Sequence, residues 1–130
     1  MTINRNDVWM KYDGHCAYCG DNIQLSEMQV DHIIPKRNFH TGRVDYDVNA
    51  IRNLNPACRV CNNWKHTWSV EQFRLELSKQ VERCIRASSN FRMALKYNQV
   101  KTTPSGIVFH FENFYKQTNN KADGPEGGGK

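Results

Sequence analysis

The chain has 130 residues, of which 38% are apolar and 24% charged, and its formal charge is +5. That length holds one domain with a modest core, and the thin apolar content leaves room for a metal staple. No apolar run reaches the ~18 residues of a membrane helix, and Met1 to Met10 lacks the apolar centre of a secretory signal. The expected compartment is therefore the cytoplasm, where five cysteines point to metal rather than to disulfides. The basic balance invites a nucleic-acid partner without demanding one.

Val8, Trp9 and Tyr12 fall at helical spacing and predict a short helix over 5–12, ending near Gly14. Gln29 to Ile34 is apolar and β-branched, so a short strand is expected, with Pro35 closing it. Residues 38–50 read as a polar loop with Thr41-Gly42 as a turn. From Ser69 the period changes: Ser69 and Gln72 make a capping box, and Val70, Phe73, Leu77, Val81 and Ile85 predict one amphipathic helix over 69–86. Cys84 lies on its apolar face and reads as a buried small hydrophobe. A further helix is expected from Ser89 to Asn98, and a strand over 107–114, where the sequence is IVFHFENF. The polar, glycine-rich residues 117–130 read as a disordered tail. The whole is an α+β chain with one domain over 1–116: a core at about 14–68, a helical flank at 69–98 and the final strand.

Cys16 and Cys19 form one CxxC pair, and Cys58 and Cys61 form another, with 38 residues between the pairs. Two-residue spacing lets both thiolates of a tight turn face one ion, and two such turns complete a tetrahedral site that suits Zn²⁺. Four thiolates leave no open position, so the ion is expected to be structural. Iron in a rubredoxin-like site is the competing metal.

Between the two pairs lies Val30-Asp31-His32-Ile33-Ile34-Pro35, followed by Asn53-Leu54 and by Asn62 directly after Cys61. Hydrolysis of a phosphodiester needs a general base near neutral pH, which His supplies. It also needs a cation to stabilise developing charge, and hard cations take oxygen ligands. Asp31 offers a carboxylate and Asn62 an amide oxygen. On a regular strand Asp31 and His32 would project to opposite faces, so the strand has to bend or end there for both to act on one phosphate.

These residues, Cys16-x-x-Cys19-Gly20, Val30-Asp31-His32-Ile33-x-Pro35, Asn53-Leu54 and Cys58-x-x-Cys61-Asn62-x-x-Lys65, resemble the HNH endonuclease family, in the zinc-bearing form common in phage and bacterial genomes. The resemblance spans about residues 14–66. It implies a ββα-metal fold and a DNA endonuclease that nicks or cuts both strands. His32 is then the general base, Asp31 and Asn62 the ligands of a catalytic Mg²⁺ or Mn²⁺, and Asn53 the residue that braces the loop. Asn55 is the competitor for that central role. Two features depart from the family pattern: Asn62 stands where the eponymous final His is often found, and Thr41-Gly42 replaces the usual paired glycines.

Lys36, Arg37, Arg43, Lys65 and His66 are the residues expected to hold the cleaved strand. The basic helices of residues 69–101 are a further phosphate-tracking surface or an ordinary solvated face. The alternative function is a catalytically silent, zinc-stabilised module that binds nucleic acid or protein. A phage or bacterial protein partner and the oligomeric state stay open, and for a phage protein the compartment is the host cytoplasm.

Overall fold

Asn4 starts the first helix, α1 (Arg5–Met10), by accepting a hydrogen bond from the Asp7 amide. The helix ends at Met10 with Lys11 as its cap, short of the expected 5–12 span, and turns carry the chain to Asp13 and Gly14, whose φ values of 54° and 80° are left-handed. A single 3-10 turn, Leu25–Glu27, leads into β1 (Gln29–His32), and a second, Ile51–Asn53, leads into β2 (Leu54–Ala57). The two strands pair antiparallel, Gln29 with Ala57, Val30 with Pro56, Asp31 with Asn55 and His32 with Leu54. Cys58 then caps α2 (Arg59–Lys65) by accepting from the Cys61 amide through sulfur. The order strand, strand, helix is the expected ββα core, and β1 stops at His32, two residues before the expected end.

The computed structural model describes residues 3–35 and 47–114, which fall into two units. The first is Met1–Ser69 with Val108–Lys130, and the second is Val70–Ile107. In the first, Val8 from α1, Met28 and Leu54 form a buried core, packed by Ile3, Trp9, Ile23 and Val30. The Trp9 indole donates to the Ile23 carbonyl and locks the residues before β1 onto α1. Tyr18 and Phe109 meet edge to face at 5.2 Å, as do Tyr12 and Phe114. Such T-shaped pairs place a ring's positive edge on a negative face.

The segment expected as a strand over 107–114 is not one. Residues 110–114 are helical, and 107–109 belong to no element. Glu112 reaches back to accept from the Phe109 amide at 2.8 Å, the reciprocal half of a capping box. The His110 and Phe111 amides donate to Tyr18 and Ala17 carbonyls. Phe109 is buried, and Phe111 and Phe114 half-buried, against Tyr18 and Tyr12 rather than in a sheet.

The second unit holds α3 (Val70–Ser78), α4 (Gln80–Ala87) and α5 (Ser89–Lys96). The single helix expected over 69–86 breaks at Lys79. Ser78 Oγ donates to the Leu75 carbonyl, and the Gln80 side chain donates to that of Glu76. These side-chain bonds satisfy carbonyls that a continuous helix would have paired with backbone. Cys84 is exposed rather than buried, because α4 shows its apolar stripe: Val81 and Ile85 are both exposed. Ser88 caps α5 by accepting from the Phe91 amide. None of the helices among the described residues is long and apolar enough to cross a membrane.

Candidate metal centre and HNH site

The CxxC turn at 16–19 is closed by the Gly20 amide donating to the Cys16 carbonyl, with Gly20 at a φ of +84°. A side chain at Gly20 would be strained in that region, and its Cβ would lie 3.1 Å from His110 Nδ1. The Ala17 amide donates to the Pro56 carbonyl at 2.8 Å, tying this turn to β2. Because β2 runs straight into the second turn, Cys58 and Cys61 arrive beside the first pair. The four sulfur atoms lie within 4.8 Å of one another. A tetrahedron with bonds of about 2.3 Å has edges of about 3.8 Å, and Cys19 and Cys58 sulfurs stand 3.8 Å apart. The hydrogen bond from Cys61 pulls the Cys16 thiol down to about 5. Burial pushes Cys19 up to about 12, and the bond to Cys16 drives Cys61 upward. Four thiolates crowded in this way coexist only around a cation, so the cluster is a site able to hold a metal ion.

Tyr18, inside that turn, points away from the sulfurs. Its hydroxyl donates to Asp31 Oδ2 at 2.5 Å and accepts from the Asn55 amide at 3.2 Å. Burial, reinforced by Asp31, pushes the phenol far above its usual range, so it stays a donor. Asp31 is 3% exposed, and the ammonium of Lys65 lies 3.2 and 3.1 Å from its two oxygens. Burial raises the Asp31 carboxyl, and Lys65 pulls it back. Lys65 itself is wholly buried at the end of α2 and donates also to the His32 carbonyl. That corrects its expected place among the phosphate-holding residues: its charge is spent on Asp31. On the far side, the Lys11 ammonium donates to the Leu54 and Ile51 carbonyls and to Asn55 Oδ1. Lys11, Asn55, Tyr18, Asp31 and Lys65 thus form one polar chain from the end of α1 through the first cysteine turn to α2.

His32 ends β1, half-buried, and its Nε2 lies 2.9 Å from Asn49 Oδ1. Asn53 is buried and holds both flanks of this pair. It accepts from the Ile34 amide, and its own amide donates to the carbonyls of Ile34 and Val48. The bracing geometry therefore belongs to Asn53, while Asn55 lies across from Asp31 in the polar chain. Asn62, on the first turns of α2, is half-buried, and its side chain makes no hydrogen bond to a described residue. With Asn63, His66 and Thr67 it lines an open depression. His66 is exposed at a left-handed φ of 49°. Lys36, Arg37 and Arg43 lie outside the described residues, as do Thr41-Gly42 and the tail. Sequence reasoning did not single out Asn49, Tyr18 or Lys11. Only Tyr18 carried a signal, its place inside the first CxxC.

A family model described as HNH endonuclease matches residues 16–67, the stretch from the first cysteine to the end of α2 and its exit. Residues 16–67 belong to the HNH endonuclease family. The SPbeta prophage-derived candidate HNH endonuclease YoqL of Bacillus subtilis (strain 168) is 33% identical over 76 residues, covering 54% of this chain and 33% of that protein. Glycosyltransferase 8 domain-containing protein 2 of Macaca fascicularis is 30% identical over 125 residues, covering 83% of this chain and 34% of the other. Among solved structures, the Type II-C Cas9 enzyme from Actinomyces naeslundii aligns with a TM-score of 0.47 and 21% identity, over 91% of this chain and 14% of that one. The chain spans about a third of the length of the curated relatives it matches. The two relatives' names describe different chemistries. The family match on the segment that carries the cysteines, Asp31-His32, Asn53 and Asn62 favours the nuclease.

Proposed function

We propose that the chain is a metal-dependent HNH endonuclease that hydrolyses DNA phosphodiester bonds, with Zn²⁺ as the structural ion of the four-cysteine cluster. The observation that carries this reading is the coincidence of the family match with a ββα unit in which His32 closes β1, Asn53 clamps the connection and Asn62 lies midway along α2. In the reaction His32 takes the proton of the attacking water. Asn53 keeps the base in place by holding Ile34 and Val48.

Asp31 and Asn62 are the residues that would hold a catalytic Mg²⁺ or Mn²⁺. Their donors are hard oxygens, as such ions require. A carboxylate has about four acceptor positions, and Tyr18 and Lys65 leave part of that capacity unused. When bound, the cation supplies charge stabilisation at the phosphate and the leaving oxygen. Lys36, Arg37, Arg43 and His66 are the side chains assigned to the DNA backbone.

One observation favours a second reading, a silent zinc-stabilised binding module: Asp31 already has a buried ammonium as its counter-ion. A supercoiled-plasmid assay separates the two. The nuclease converts supercoils to open circles or linear DNA only with Mg²⁺ or Mn²⁺, and His32→Ala abolishes the conversion. Folded, zinc-loaded protein that leaves the plasmid intact with every cation is the binding module.

A further inference from the structure

We propose that Asn49 is the positioning residue of His32, and that Asn53 holds the two in register. The inference deepens the reading of His32 as general base and rests on it. An amide oxygen only accepts hydrogen bonds. With Asn49 Oδ1 2.9 Å from Nε2, the ring proton of neutral His32 sits on Nε2. The lone pair is then left on Nδ1, which is the nitrogen that receives the proton of water. A neutral imidazole has one donor and one acceptor nitrogen, and the partner of the first decides the identity of the second. The same bond opposes rotation of the ring about its last torsion, where a flip would exchange the two nitrogens.

Asn49 can do this because its own backbone is held. Its amide donates to Asp47 Oδ1 at 3.0 Å, the Ala50 amide donates to the Asp47 carbonyl, and the Asn53 amide donates to the Ala50 carbonyl. The Asn53 side chain grips the Val48 carbonyl, one residue before Asn49, and both backbone groups of Ile34, two residues after His32. One side chain thus clamps the chain on either side of the His32–Asn49 bond. Removing Asn53 would release both partners, whereas removing Asn49 would release the ring alone.

The spectra are taken on the full zinc-loaded chain with ¹⁵N-labelled histidine, without added Mg²⁺, at about pH 8.5, and the nicking assays are run with Mg²⁺ added. The native protein should show a protected Nε2–H resonance for His32, assigned by its loss in His32→Ala. Asn49→Ala should lose that protection and allow both tautomers. Single-turnover nicking by Asn49→Ala should fall ~10–100-fold, the usual cost of removing a residue that orients a reacting group, with substrate affinity unchanged. Asn49→Asp keeps an acceptor oxygen at the same reach and should restore both the resonance and most of the rate. An Nε2–H signal that survives Asn49→Ala, or a rate that stays native, overturns the proposal. A His32→Ala protein that still nicks DNA overturns the reading of the base instead, whatever the spectra show, and the proposal falls with it.

Discussion

Lys65→Met is the substitution whose consequence follows most directly from the coordinates. Methionine matches the length and apolar stem of lysine but removes the ammonium, which is wholly buried and 3.1 Å from the Asp31 carboxylate. Tyr18 would remain as a donor, yet no cation would face a group that is 3% exposed. Breaking one side of a buried ion pair costs about 3–5 kcal/mol, against a total stability of about 5–15 kcal/mol for a domain. The expected result in urea or thermal unfolding is a melting point lower by about 10–20 °C.

The pH dependence has a definite sign. Burial already raises the folded-state carboxyl of Asp31, and Lys65 restrains that rise. Without Lys65 the folded pKa climbs further above the unfolded value of about 3.9. A raised carboxyl binds its proton more tightly when folded, so stability is retained at low pH and lost as pH rises through the folded pKa. The deficit of Lys65→Met should therefore be larger near pH 8 than near about pH 5.5. Pairing it with Asp31→Asn should recover much of the loss, since no buried charge is left. A Lys65→Met protein within about 1 kcal/mol of native, the range of a surface pair, or a deficit independent of pH, would refute the argument.

Further outcomes follow from the same geometry. Cys19→Ser, or a strong chelator, should release about one equivalent of zinc and unfold the unit that contains the cluster, read by metal analysis beside circular dichroism, because binding at such sites is folding energy. Tyr18→Phe should keep the zinc but destabilise by about 1–3 kcal/mol, since Asp31 and Asn55 both lose a buried partner; unchanged unfolding would contradict the buried chain. In Asn53→Ala the Ile34 amide, now protected by the Asn53 oxygen at 2.9 Å, should exchange with solvent at least tenfold faster, about 1.4 kcal/mol of local opening. Gly20→Ala should lose about 1–2 kcal/mol from its left-handed backbone, with melting temperature as the measure.

The candidate residues of the core were legible because metal ligation and general-base catalysis would demand particular side chains at particular spacings. Two CxxC pairs, Asp31-His32, Asn53 and Asn62 stand out from a linear reading for that reason, and strand and helix signals around them place the ββα order. The existence of α1 and α5 was readable from apolar period alone; the caps at Asn4 and Ser88 that start them came from the structure. The exceptions arose where a local preference met a non-local partner. IVFHFENF has the composition of a strand, but its aromatic rings pack against Tyr12 and Tyr18, and Glu112 secures a helical turn. The apolar period over 69–86 gave no warning of the break, because side-chain bonds from Ser78 and Gln80 leave that period intact.

The sequence by itself determined which residues can bind metal, which can move a proton and in what order they follow one another. Tertiary structure alone decided their partners. Lys65 reads as a base for the cleaved strand, yet the fold buries it at the end of α2 as the counter-ion of Asp31. Asn49 is an unremarked loop residue until chain closure, 17 positions from His32, brings its oxygen to the ring. Hydrogen bonds and ion pairs depend on distances of a few ångströms, and only the folded chain sets those distances for residues far apart in sequence.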